Sequence, residues 1–591
     1  LRDLTIDEAA PLASTLPSTT PSADGSPRPR SAGRVPRPLR SRLRAPLVTS
    51  LLVQAVLVLG DRMPAVDAMS YFETGRNVLA GRGYVRQGAP EMHFPPVAPL
   101  GLAVLERLTG SEMAALRTWN LAWGMAFVVL LTVLAHRLTR DDDVVVTTAW
   151  LALLVPGGVA LALEGGAGSE LATVTLVLTS ALLVLVRFDP DHPPSSRVRS
   201  LAIPAAGAAI GLAYLARPES LMPGATIGLG ATLIALRIRD RPLPDRSWRA
   251  IRTGAAFGFA GLVFVAPYLV FQHAQTGSWS LTSKSQDASI DAWRAVAEGD
   301  RHERDQVLYA IQPDGTSLGP ETVPLTALAR EHPRGWLTIA WTNTTEMFHL
   351  FTAAPFPYGP VWELIPLFVL AAALWQLWTT RRQRATLLLA SVAAWPLLTC
   401  FVFFALPRYL MLATATLIPF GAWGLVRAIR PRRRPVRAAA WSAVWLLTMV
   451  SFLVAAWPLV PGSGHAERTE QQTAGRWLAE NTPDDARIMT RSFHVQGYSE
   501  REVVAMPYAD YLSTLDYARR MGVSYLVADE ATIRYRRPAV FEPLVLRDEA
   551  PAGLELVHEF TERRMTVRIF RLDPLPAPSP HPPVPLGYVS N

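Results

Sequence analysis

Asp67 stands just beyond the first long apolar run of the chain, and Tyr71, Glu73 and Arg76 follow it at helical spacing. A carboxylate fixed at the edge of a membrane can take a proton from a group presented there, including one carried by a lipid. The same acid would also serve as a plain solvated boundary residue, so its surroundings decide. Gly81 and Gly83 close the polar stretch as helix terminators. His93–Phe94–Pro95–Pro96 then forces an extended turn, because proline disfavours helix in the residue before it. Leu100 to Leu108 forms a short apolar segment that ends at Thr109–Gly110. A passive loop needs less architecture than this.

Other polar residues interrupt apolar sequence elsewhere. Arg408 and Tyr409 lie between two apolar runs in ALPRYLML, and Arg217 and Glu219 in LARPESL. Glu164 and Glu170 flank the turn EGGAGSE, and Lys284, the sole lysine, sits in GSWSLTSKSQ. Arginine and lysine side chains among hydroxyls suit a phosphate. Each has a structural reading as well: an arginine can snorkel to lipid headgroups, Arg217 and Glu219 can neutralise one another, and an acid opening a helix complements its dipole. No cluster has metal-ligand spacing, so neither a metal nor a cofactor is expected. The phosphate loop of ATPases and the HExxH helix of zincins are both missing from the sequence.

The elements that must position these residues are membrane helices. Half of the 591 residues are hydrophobic, the mean hydropathy is +0.19, and the apolar residues are clumped into long runs. About eleven runs can cross the hydrocarbon core: 45–60, 114–136, 144–163, 170–187, 200–216, 219–236, 253–273, 361–378, 385–406, 409–427 and 438–460. The fold class is an all-α polytopic membrane protein with a small C-terminal α/β domain. The net charge of +8 comes from arginines in short loops, which excludes a nucleic-acid face. Arg137 and Arg140, Arg187 to Arg199, Arg237 to Arg252, Arg381 to Arg384 and Arg427 to Arg437 fall in alternate loops, on the side of the basic N-terminal arm. By the positive-inside rule that side is cytoplasmic. Asp67, Glu170, Arg217, Lys284, Arg408 and everything after about 461 then face outward. Residues 1–44 read as a disordered basic arm, 45–460 as the transmembrane domain, 461–573 as an extracytoplasmic α/β domain and 574–591 as a Pro-rich tail. The first helix is expected to act as an uncleaved signal anchor. Segment 336–358 is aromatic yet polar-interrupted, and is expected at the interface rather than across the membrane. The single Cys400 lies in an apolar run and can form no internal disulfide.

The pattern Asp67-x3-Tyr71, Gly81-x-Gly83-Tyr84, Pro95–Pro96 and a short apolar helix ending in Gly110 resembles the first outer loop of GT-C glycosyltransferases. Protein O-mannosyltransferases and lipid A aminoarabinose transferases are the nearest in pattern, and the resemblance covers most of residues 45–460. It implies transfer of a hexosyl or pentosyl unit from a polyprenyl-phosphate donor to a glycan, lipid or protein hydroxyl on the outer face of the cell membrane. It also implies that Asp67 is the general base and that Arg408, Tyr409, Lys284 and Arg217 bind the donor phosphate. Tyr71, His93, Glu170 and Glu219 are implied substrate contacts. His93 stands where the aminoarabinose transferases carry a lysine before Pro-Pro. A single base with a phosphate clamp fits the chemistry, because a phosphate leaves without an acid to protonate it.

The competing class is a transporter or lipid flippase. Such proteins place charges near the midplane on broken helices, often in repeated halves. Here the notable polar residues gather toward one face, and no repeat is visible. A membrane-anchored binding protein working through its C-terminal domain would leave Asp67 and the further helices unexplained.

Overall fold

The computed structural model of the chain describes residues 38–59, 66–86, 89–154, 168–189, 195–238, 242–281, 309–311, 315, 330–352, 365–402, 407–456 and 468–572. Its first part is helical. The helices are α1 (Leu39–Leu59), α2 (Val66–Leu79), α3 (Val97–Thr109), α4 (Glu112–Thr139), α5 (Asp142–Leu154), α6 (Ser169–Arg187) and α7 (Ser196–Ala216). They continue with α8 (Leu221–Arg237), α9 (Leu243–Thr276), α10 (Pro333–Thr352), α11 (Leu367–Thr379), α12 (Arg384–Val402), α13 (Met411–Ile429) and α14 (Arg434–Ala456). Each apolar run named above falls on one of these helices in whole or in part. Among the described residues, 8 helical segments are long and apolar enough to cross a membrane, and α11 is a shorter apolar helix.

Burial ranks these helices. The most apolar stretch of α13 is 89% buried, whereas those of α9 and α14 are 17% buried. Helix α13 is therefore the axis of the bundle, and α9 and α14 turn most of their apolar surface to lipid. Small residues let backbones approach where the bundle is tightest. Gly207 and Gly211 of α7 lie against α9 so closely that a Cβ on Gly207 would sit 2.0 Å from the Phe257 carbonyl oxygen.

One expectation is adjusted. Residues 39–44, expected within the disordered arm, form the first turns of α1, where Arg42 is held by Asp143 at 2.5 Å. The aromatic segment after residue 333 is the helix α10, which lies outside the eight candidate spans and donates from Asn343 Nδ2 to the Phe401 carbonyl at 3.3 Å.

Polar residues separate the two ends of the bundle. At the C-terminal end of α13, Arg430 binds Asp141 and Asp143 at 2.7 and 2.9 Å. At the C-terminal end of α4, Arg137 and Arg140 bind Asp189 at 3.4 and 2.6 Å. The N-terminal ends of α6 and α13 carry the other set of polar residues. A helix of 19 residues places the two sets about 28 Å apart, close to the thickness of the hydrocarbon core.

After Arg468 the chain turns to mixed structure. Helices α15 (Thr469–Asn481), α16 (Phe493–Ser499), α17 (Tyr511–Arg520), α18 (Glu530–Arg536) and α19 (Pro538–Phe541) accompany a five-stranded sheet. Two short strands, β1 (Val85–Arg86) and β2 (Ala89–Pro90), lie earlier, in the loop after α2. The sheet strands are β3 (Arg487–Thr490), β4 (Glu502–Ala505), β5 (Tyr525–Asp529), β6 (Leu554–Glu562) and β7 (Met565–Leu572), in the order β4-β3-β5-β7-β6. β3 runs parallel to β4 and β5, and β7 is antiparallel to β5 and β6. This is the expected α/β region, with the alternating ELVHEF and MTVRIFRL segments paired as a hairpin. It rests on the bundle through α16: Gln496 Nε2 donates to Glu73 Oε2 at 3.3 Å, and Gly497 packs on Met69 of α2.

Candidate active site

Helix α2 presents Asp67 in its first turn. The helix is pinned from below by α3, whose C-cap is Gly110 at φ +70, and by Arg76, which binds Glu106 at 2.7 Å and also Glu112. Ala68, Tyr71 and Phe72 enter a small core with Phe94, Ala98 and Leu102, so Asp67 is the polar edge of an otherwise buried face.

Arg408 reaches Asp67 from the short 3-10 turn Pro407–Leu410 that leads into α13. Its Nη1 lies 3.2 Å from Asp67 Oδ2, across 341 residues of sequence, with both side chains about one-third exposed at 34% and 32%. The same Nη1 is 3.9 Å from Glu170 Oε1. Its Nε is buried without a hydrogen-bond acceptor. Mounted on the most buried helix of the bundle, this guanidinium has a rigid base and a half-open head.

Beside it lies a fully buried pair. Arg217 caps the C-terminus of α7 and donates from Nη1 to Glu170 Oε1 at 2.5 Å. Glu219 is a looser partner at 3.5 Å, so the neutralisation anticipated within Arg-Pro-Glu goes mainly to Glu170 instead. Arg217 is 8% and Glu170 7% exposed. Burial alone would weaken the charge of Arg217, but Glu170 first and Glu219 next more than restore it and raise its pKa well above the ordinary value. Tyr409 supplies a ring to both cations, with its centroid 5.6 Å from the Arg217 guanidinium and 5.2 Å from that of Arg408. Tyr71 donates its hydroxyl to Ser169 Oγ at 3.2 Å, and Ser169 Oγ lies 3.2 Å from Glu170 Oε2. Burial, then the charges of Asp67 and Glu170, push the Tyr71 phenol well above its ordinary pKa, which keeps it a neutral donor.

Of the residues singled out in the sequence, Asp67, Tyr71, Glu170, Arg217, Glu219, Arg408 and Tyr409 come together here. His93 stands one residue further out, its ring 4.4 Å from that of Phe94, which in turn meets Tyr71 edge-on at 4.8 Å. Lys284 lies outside the described residues. Two residues escaped the sequence reading. Ser169 joins Tyr71 to Glu170, and only its position beside Glu170 could have flagged it. Glu91 organises the Pro-Pro turn: it pairs with Arg86 and accepts backbone N–H groups from His93 at 2.6 Å and Phe94 at 3.1 Å. Burial raises the Glu91 pKa, but Arg86, His93 and these N–H groups outweigh it and hold the carboxyl below its ordinary range. Among the described residues, no three His, Cys, Asp or Glu side chains gather as a metal site would require.

No protein-family model and no curated protein sequence matches the chain. Solved structures do. ArnT from Cupriavidus metallidurans bound to undecaprenyl phosphate is similar at a TM-score of 0.53 and 15% identity, over 88% of this chain and 97% of that one. The Archaeoglobus fulgidus oligosaccharyltransferase in its apo form is similar at a TM-score of 0.50 and 12% identity, over 84% and 71%. The fold is GT-C-like. The archaeal enzyme AglB, in complex with an inhibitory peptide and a dolichol-phosphate, repeats the match at a TM-score of 0.51 and 12% identity, over 82% and 69%. The GT-C-like scaffold brings residues from the first loop, the α6 turn, the α7 cap and the start of α13 to one end of the bundle, which accounts for their separation in sequence.

Proposed function

We propose that the chain is an integral membrane glycosyltransferase that moves a sugar from a polyprenyl-phosphate donor to an acceptor hydroxyl on the outer face of the membrane. The observation that carries the reading is the meeting of Asp67 and Arg408 at 3.2 Å, an acid and a cation each about one-third exposed, at the end of a GT-C-like bundle opposite the arginine-rich loops. The undecaprenyl phosphate of the ArnT structure and the dolichol-phosphate of the AglB structure belong to the same class of lipid phosphate.

In this mechanism the Asp67 carboxylate takes the acceptor proton as the hydroxyl oxygen bonds to the anomeric carbon. The bond from that carbon to the donor phosphate breaks, and its electron pair leaves on the phosphate oxygen. Arg408 stabilises that charge, with Tyr409 fixing the plane of the guanidinium. Arg217 and Glu170 hold one another and act as the buried floor, and Lys284 is a further candidate for the phosphate. Tyr71, His93 and Glu219 line the approach of the sugar or acceptor. The basic end faces the cytoplasm, and the C-terminal α/β region lies outside.

The test is transfer of a radiolabelled sugar from its polyprenyl phosphate in proteoliposomes, for wild type and Asp67→Asn. Activity retained in the variant would remove Asp67 from the chemistry. Substrate-coupled movement across the bilayer without any glycosyl transfer would favour a transporter.

A further inference from the structure

We infer that Asp67 occupies the phosphate position of Arg408 until a donor arrives, so that donor binding itself uncovers the base. This rests on the glycosyl-transfer reading and adds an order of events to it.

Around the site the described acids outnumber the cations. The described acids are Asp67, Glu170 and Glu219, and the cations are Arg217 and Arg408. Arg217 is committed to Glu170 by a buried contact of 2.5 Å. Exchanging that partner would strand a buried charge, so Arg217 stays where it is. Arg408 differs on each count. Its contact with Asp67 is longer, at 3.2 Å, and its side chain is 34% exposed. Its Nε is buried with no acceptor, so the planar fork is only half used. A phosphate carries several acceptor oxygens and can take two guanidinium N–H groups at once, which a carboxylate in this single-contact pose does not. The exchange of Asp67 for a lipid phosphate therefore gains a hydrogen bond for Arg408 and loses only a partly exposed ion pair.

Asp67 gains by the exchange as well. While Asp67 Oδ2 accepts the Arg408 N–H, that oxygen is occupied and not open to an incoming hydroxyl. Once the phosphate takes the arginine, Asp67 becomes a free carboxylate beside the sugar, ready for the acceptor hydroxyl. One cation thus serves two anions in turn. The donor binds first, and the acceptor meets an active base only afterwards. When the sugar has left, the free lipid phosphate still competes with Asp67 for Arg408, and its departure restores the ion pair.

A double-mutant cycle on the full chain in nanodiscs tests this, with undecaprenyl phosphate as the probe and its dissociation constant as the readout. Removing the competing carboxylate in Asp67→Asn is expected to tighten binding about two- to fivefold, the size of a partly exposed ion pair, while transfer is lost. In an Arg408→Gln background binding weakens, and the further change Asp67→Asn should then have no effect. Arg408→Met, which keeps the chain length over Tyr409, is the second background if the glutamine variant does not fold. Equal tightening with and without Arg408 would mean that Asp67 merely repels phosphate, and it would overturn the inference. So would unchanged affinity in Asp67→Asn. Failure of the wild type to bind undecaprenyl phosphate at all would instead remove the lipid-phosphate donor, and with it the reading on which the inference stands.

Discussion

At the scale of single residues, the site contains two ion pairs with opposite duties. Arg217 and Glu170 are both more than nine-tenths buried, whereas Asp67 and Arg408 are about one-third exposed. Breaking the first pair in Glu170→Gln leaves a buried guanidinium without its countercharge and should cost about 3–5 kcal/mol of stability. Breaking the second in Asp67→Asn should cost no more than about 1 kcal/mol yet reduce transfer at least a hundredfold, in line with the usual worth of a general base. Thermal unfolding of the two variants in one detergent, read against their transfer rates, separates the duties. Similar losses of stability in both would contradict the division. The sequence made most of this group visible because charged residues between apolar runs are conspicuous. It could not say which partner Arg217 takes, since Glu170 is 47 residues away and Glu219 only two. Ser169 and Glu91 were hidden for a different reason. Their importance is purely geometric, one bridging two polar groups and the other gathering backbone N–H groups around a turn.

At the scale of elements, the loop after α2 works as a built part. Glu91 is nearly buried, pairs with Arg86, and holds the backbone of His93 and Phe94, while Tyr84 donates to the Phe94 carbonyl at 2.5 Å. Because the folded protein holds Glu91 below its ordinary pKa, its contribution to stability is full at neutral pH and is lost as the pH falls through that lowered value. Glu91→Gln removes the contribution, so the gap in unfolding midpoint between wild type and variant should be wide at pH 7 and close only in acid below the ordinary carboxylate range. A gap independent of pH would assign the loss to packing alone. The crossing of α7 and α9 gives a second element-level expectation. Gly207→Ala must push the Phe257 carbonyl aside, and overpacking of this kind costs about 1–3 kcal/mol. Gly258→Ala, with open space around its Cβ in the same helix as Phe257, is the control and should be no less stable than the wild type. Such contacts are invisible to hydropathy, which reports that a helix is apolar but not which neighbour it meets.

At the scale of the whole molecule, the two polar ends of the bundle set which groups share one side of the membrane. Helices α6 and α13 begin at the site and end among the arginines, so a single orientation fixes the side of every polar group described. The arginine-rich loops argue that their end is cytoplasmic, and lipid-linked sugar would then be met on the far side. The α/β region belongs to that far side too, because Gln496 and Gly497 touch the same helix that carries Asp67. The chain's one cysteine, Cys400, is buried, which makes single-cysteine labelling straightforward once it is replaced in Cys400→Ser. Asp484, whose side chain is 100% exposed, reports on the α/β region, and the exposed Arg432 reports on the basic end. In intact cells, a membrane-impermeant maleimide should label Asp484→Cys at once and Arg432→Cys only after permeabilisation. The reverse pattern would put Asp67 and Arg408 in the cytoplasm, where a donor facing outward could not reach them, and the proposed reaction would have to be moved to the inner leaflet.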